Sequence, residues 1–155
     1  MSIMRSAVSS SILPSVFAAA CHVDDFALTL AERQLFAALN RREVRFIVLG
    51  MGAALLEGAP VATQDLDVWF ETTDDARIRD AAQDAGRIDI VLTAHGLDSF
   101  PAEYERTIAH EIDGVALRIL PLDRIIATKR ATGRPKDLAQ LPALEATLLA
   151  RTRKP

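Results

Sequence analysis

The stretch that most constrains this chain is residues 44–49 (VRFIVL), followed at once by Gly50-Met51-Gly52. A short, almost wholly apolar run rich in branched side chains reads as a strand buried on both faces. The glycine pair breaks it. Residues 53–57 (AALLE) then read as a short helix, which Gly58 and Pro60 end. A strand buried on both faces needs cover on both sides, so the fold must layer helices on a sheet.

The flanking sequence supplies those layers. Asp24 or Asp25 is a candidate N-cap for a helix reaching Asn40, with Leu28, Ala31, Leu35, Ala38 and Leu39 at helical spacing facing the core. Residues 65–71 (DLDVWFE) alternate as a strand, with Leu66, Val68 and Phe70 on one face and Asp65, Asp67, Trp69 and Glu71 on the other. A helix is expected over 73–85, capped by Thr72 or Thr73 and stopped by Gly86. A third strand is expected over 87–93, and a loop over 94–103. Residues 107–112 and 115–120 flank Asp113-Gly114, a two-residue hairpin signal. Pro121 opens a helix that Gly133 stops, and Pro135 starts a last helix to about residue 150. The expected class is α/β (α+β), a mixed sheet flanked by helices with further helices at the C-terminal end.

Composition narrows the class. The 155 residues suit one domain over 1–155, and the small, polar residues 1–13 read as a flexible arm. Half the residues are apolar, which excludes disorder throughout. Cys21 is the only cysteine, so there is no internal disulfide framework. A free cysteine, a weak n-region and an interrupted apolar stretch favour a reducing cytoplasm over export. No apolar run approaches the ~20 residues of a membrane span, so no membrane partner is expected. Charge is uneven. Residues 1–117 carry 9 basic and 18 acidic side chains, whereas 118–155 carry 9 basic and 3 acidic. That split suits metal on one side and phosphate on the other; Arg151, Arg153 and Lys154 read more simply as a solvated, frayed end.

The chemistry-bearing candidates are carboxylates. Asp65 and Asp67, at i and i+2 on a strand, point the same way and can share divalent ions. Asp89 lies inside Ile88-Asp89-Ile90-Val91-Leu92, where a buried acid needs a partner or a metal. Oxygen ligands of this kind suit Mg²⁺. Solvent-facing acids on a strand are the plain alternative. The Gly50-Met51-Gly52 turn either cradles a phosphate with backbone N–H groups or is an ordinary strand-to-helix turn. Trp69 either stacks a base or lies under a helix; His95 is a loop histidine that could sit near the site. His22, His95 and His110 make no zinc spacing with the single cysteine.

In order, residues 46–53 (FIVLGMGA), Gly58, 63–69 (TQDLDVW), 87–91 (RIDIV) and 129–138 (KRATGRPKDL) resemble the nucleotidyltransferases of the DNA polymerase β superfamily. The closest likeness is to the small bacterial branch that includes AbiEii-type toxin proteins. The resemblance covers about residues 44–140. It implies the nucleotidyltransferase fold and a two-metal reaction, in which an unknown acceptor (small molecule, protein or RNA) attacks the α-phosphate of a nucleoside triphosphate and pyrophosphate leaves. It assigns Asp65, Asp67 and Asp89 to catalysis and to two Mg²⁺ ions. It assigns Gly50, Met51, Gly52, Lys129 and Arg134 to the nucleotide, with Lys129 projecting toward the glycine turn. On the residues alone, Lys129 and Arg134 also fit helix-end electrostatics, and Lys136 would pair with Asp137 or solvent. Two positions depart from the family: Met51 stands where Ser or Gly is common, and Val61 where related proteins often have Arg. A non-catalytic module of the same fold, bound to a protein partner within a toxin–antitoxin pair, is the alternative function.

Overall fold

Every residue of β1 (Phe46–Leu49) is buried, as its composition requires. The computed structural model of the chain describes residues 26–73, 75–82 and 88–153. In it β1 is the centre of a mixed five-stranded sheet of order β3-β2-β1-β5-β4. It pairs antiparallel with β2 (Asp67–Phe70) and parallel with β5 (Val115–Ile119). Beyond them β3 (Asp89–Val91) runs parallel to β2, and β4 (Ile108–Ile112) antiparallel to β5. The helices among the described residues are α1 (Leu30–Arg41), α2 (Gly50–Leu56), α3 (Ala76–Ala82), α4 (Phe100–Arg106), α5 (Leu122–Thr132) and α6 (Pro135–Thr152). The class is α/β with a mixed sheet and C-terminal helices.

The two faces of the sheet are packed differently. On one, Phe46 lies between Phe36 of α1 and Phe70 of β2, with ring centroids 5.3 and 6.5 Å away. On the other, Trp69 meets Phe100 of α4 edge-on at 5.2 Å, and Phe100 stacks on Tyr104. Trp69 is therefore core, and the base-stacking alternative is set aside. Each fully buried Leu, Ile or Phe in this cluster contributes about 1.5–3 kcal/mol.

Several boundaries differ from expectation for identifiable reasons. Helix α1 starts at Leu30 because Thr29 caps it: the Glu32 N–H donates to the Thr29 hydroxyl, and the Thr29 N–H donates to the Glu32 carboxylate. Asp24 and Asp25 lie outside the described residues, as do Cys21, His22, the 1–13 arm, Gly86 and Lys154. At α3 the Asp75 carboxylate accepts the Arg77 N–H, so neither Thr72 nor Thr73 is the cap. The expected loop over 94–103 gives way to α4, which begins after Ser99 with Pro101 in its first turn. The expected frayed C-terminal cation Arg151 instead anchors the end of α6. Its guanidinium donates to the Glu57 carboxylate, and to the Glu57 carbonyl at 3.1 Å. The hairpin is as read, with Asp113 and Gly114 at φ of 51° and 76°.

Candidate functional site

The end of β1 and the starts of β2 and β3 lie side by side, and this places the acids. Leu49 is opposite Asp67 across the antiparallel pair, and Asp67 is opposite Asp89 across the parallel one. Residues in register on neighbouring strands project from the same face, about 4.8 Å apart. Asp67 and Asp89 are therefore neighbours on one face. Asp65 is not on the strand, because β2 starts only at Asp67. It sits in the preceding exposed segment, where its N–H donates to the Thr63 hydroxyl at 3.2 Å.

Asp89 corrects one expectation. It is exposed, as are Ile90 (49 %) and Leu92 (73 %). β3 is an edge strand with a partner on one side only, so the argument from a buried charge does not apply to it. The strained acid is Asp67. Partial burial raises its carboxyl pKa above the usual range, and the charges of Asp89 and Asp65 raise it further. Lys129 and Lys136 act in the opposite direction.

The glycine turn is shaped around Asp67. Gly50 has φ of +71°, and a β-carbon there would lie 2.0 Å from Asp67 Oδ2. Only a residue without a side chain lets the carboxylate occupy that space. Gly50, Met51 and Gly52 form the opening turn of α2. Met51 and Val61, the two positions that depart from the family pattern, are half-buried and pack against the core.

These elements line a cavity of about 600 Å³. Leu49, Gly50 and Asp67 contribute to it from the sheet side, and Lys129 and Arg134 from the C-terminal helices. The structure thus brings Gly50, Asp67, Lys129 and Arg134 together. Asp65, Asp89, Met51 and Gly52 are not among its lining residues. His95, from the loop after β3, also lines it.

The cations are less free than expected. Lys129 is buried, and its ammonium donates to Asp137 Oδ1 at 3.1 Å and Gln140 Oε1 at 2.7 Å. Arg134 is exposed and donates through Nε to Asp137 Oδ2 at 2.5 Å. Asp137 is thus held by Lys129, Arg134 and Thr132, while Lys136, expected to pair with Asp137 or solvent, is exposed. Burial would raise the Asp137 carboxyl, but hydrogen bonds from Arg134, Lys129 and Thr132 outweigh it and lower its pKa to about 2. Asp137 is the site-side residue that sequence reasoning missed. Its signal was spacing: it stands eight residues after Lys129, across a helix break.

Because Asp137 is more acidic folded than unfolded, its contribution is fully present above the ordinary carboxyl value. It is lost as pH falls toward 2. Lys129→Met removes one of the donors that holds this value down. It should destabilise the fold by about 1–3 kcal/mol at pH 7 and move acid unfolding to higher pH. Urea melts and an acid titration followed by circular dichroism would check both. An unchanged acid midpoint would mean that Arg134 and Thr132 hold Asp137 without Lys129.

No family model, curated protein or solved structure matches this chain.

Proposed function

We propose that the cavity is a Mg²⁺-dependent nucleotidyl-transfer site, with a nucleoside triphosphate as donor and a small molecule, protein or RNA as acceptor. The observation that carries this reading is the juxtaposition of Asp67, Lys129 and Arg134 at one cavity, with Asp89 in register beside Asp67 on the neighbouring strand. The motif order that resembles the DNA polymerase β superfamily, in particular its AbiEii-type branch, is its second support.

The acids suit a hard cation. Among the described residues no group of three or more acid, His or Cys side chains is arranged to hold an ion by itself. Mg²⁺ commonly takes only one or two carboxylates and completes its shell with water and substrate phosphates. Asp67 and Asp89 would provide that pair, with Asp65 beside them. Burial, and then the charges of Asp89 and Asp65, raise the Asp67 pKa, and a cation held there would act against that rise. When bound, the metal supplies charge neutralisation at the attacking and leaving oxygens. The chain would do the rest by positioning. Gly50 leaves room for the Asp67 carboxylate, and the N–H groups of the Gly50–Gly52 turn are donors for phosphate oxygens. Lys129 offers a point charge, and Arg134 offers the guanidinium nitrogens not engaged by Asp137. In the transfer an acceptor O–H or N–H would pass its proton to solvent water as its heavy atom bonds to the α-phosphorus. The bond from that phosphorus to pyrophosphate breaks.

The second reading is the non-catalytic module, within a toxin–antitoxin pair. It is favoured by one observation: both cavity cations are already paired with Asp137. No described helix is long and apolar enough to cross a membrane, and a cytoplasmic setting belongs to either reading.

Asp67→Asn tests the site with two opposite signs. A carboxyl whose pKa is raised on folding destabilises the native state increasingly as pH climbs from its unfolded value through its folded one. At pH 7 the apo variant should therefore melt higher than the parent. Mg²⁺ with a non-hydrolysable triphosphate at a hundredfold its Kd should stabilise the parent by about 2.7 kcal/mol and the variant far less. Equal ligand-induced shifts in both would remove Asp67 from the site. No shift in either would favour the second reading.

A further inference from the structure

Among the described residues, the charged groups lining the cavity are Asp67, Asp137, Lys129 and Arg134, two carboxylates and two cations. Their formal charge cancels. A polyphosphate carries several negative charges, so a neutral cavity holds it poorly without added positive charge. Among the lining residues one further titratable side chain remains, and it is His95.

His95 is held at that wall by two contacts that follow it in the chain. Next to it, Gly96 adopts φ of +72°. A β-carbon there would lie 2.5 Å from Ala131 Cβ and 3.2 Å from the Ala127 carbonyl oxygen, so the loop backbone lies directly on α5. Three residues on, the Asp98 N–H donates to the fully buried Glu103 carboxylate at 3.0 Å, and that carboxylate is gripped by Arg124 of α5. The loop is clamped to the helix that carries Lys129. The imidazole itself is exposed, so solvent protons reach it.

We propose that His95 is a pH-responsive anion ligand of the cavity. As imidazolium it joins Lys129 and Arg134 on a polyphosphate, so that binding takes up a proton. This rests on the reading that the cavity takes a triphosphate. Histidine is the side chain whose ordinary titration falls between pH 5 and 8. The charged groups that share the cavity with it are Asp67 on β2, Lys129 on α5, and Arg134 and Asp137 at the start of α6. In its own loop Asp98 is paired with Arg106 at 2.6 Å and with Arg124 at 3.8 Å. Neutral His95 leaves the cavity balanced; protonated His95 makes it a net cation.

The test is isothermal titration of the full chain with inorganic tripolyphosphate, and with the α,β-methylene analogue of ATP plus Mg²⁺. Each is run at pH 6 and pH 8 in buffers of different ionisation enthalpy. The parent should bind about fivefold or more tightly at pH 6 than at pH 8, at the lower end of ordinary coupling between two binding events. It should take up protons on binding. The ligand's own phosphate also titrates near pH 6, so the comparison is with His95→Gln, which keeps only the ligand's share of the pH dependence. His95→Lys should bind tightly at both pH values with no uptake beyond that of His95→Gln. Tight binding with the same pH dependence in parent and His95→Gln overturns the role of His95 and leaves the triphosphate site standing. No binding of either probe at either pH overturns the triphosphate site and this inference with it. Circular dichroism melts of the two exposed-loop variants confirm that they are folded.

Discussion

Glu103→Ala should cost the fold about 3 kcal/mol, a larger loss than any surface charge in the chain would cause. The Glu103 side chain has no solvent exposure, yet it is ionised. Burial alone would raise its carboxyl pKa, but Arg124, the Asp98 N–H and Arg106 together bring it below the ordinary value. Removing it leaves the partly buried Arg124 without its hydrogen-bonded acceptor and with Asp98 at 3.8 Å. Breaking a buried pair from one side typically costs 3–5 kcal/mol, and the half-exposed Arg106 places this one at the lower end. The depressed pKa fixes the pH dependence: the contribution is full above the unfolded carboxyl value and fades as pH falls through the folded one. Urea denaturation at pH 7 would measure the loss. Glu103→Gln separates charge from shape, since it retains an acceptor and most of the volume. If Glu103→Ala costs less than about 1 kcal/mol, the network is an adornment of the α4–α5 contact rather than its clamp.

Gly50→Ala should have the second large effect, and a more local one. An alanine at positive φ costs about 1–2 kcal/mol from the backbone alone. Its methyl group would then stand 2.0 Å from Asp67 Oδ2, so the carboxylate must move. The expected result is a destabilised protein whose Asp67 is displaced from Asp89 and which, on the proposed metal role, loses divalent binding more completely than stability. Combining Gly50→Ala with Asp67→Ala isolates the clash. The double variant should be more stable than the sum of the two single changes requires, because the conflict between the atoms is gone. Additivity within about 0.5 kcal/mol would show that the turn and the carboxylate are independent.

What could be read from the sequence depended on how local the cause was. β1 was legible because six consecutive residues carry one signal. The hairpin was legible because Asp113-Gly114 is a conformational requirement contained in two residues. Gly133 was legible as a helix stop for the same reason, and it sits at φ of +61°. The acids were legible as residue types, while their setting was not. Whether Asp89 is buried depends on whether another strand lies beyond β3, and nothing within residues 87–93 encodes that. Glu103 fell inside a presumed loop because its partner Arg124 is 21 residues away, and no periodicity links them. Lys129 was identified, but as a nucleotide ligand or a helix-end charge and not as a buried one. Its burial follows from α6 folding back so that Asp137 and Gln140 reach it. Local rules located the carriers of chemistry; the pairings that set their charge states were non-local.

The order of the cavity's parts along the chain has a consequence for synthesis. Asp65, Asp67 and Asp89 are encoded by residue 89, and Lys129 and Arg134, which line the cavity with Asp67, some forty residues later. At about 5–20 residues per second, the ribosome presents the acidic half roughly 2–8 seconds before Lys129 appears. During that interval the nascent chain displays Asp65, Asp67 and Asp89 without the two side chains that will counter them in the finished cavity. During the same interval the central β1–β5 pairing still awaits residues 115–119. A pause in translation between the two halves would prolong a state in which the three acids exist and Lys129 and Arg134 do not.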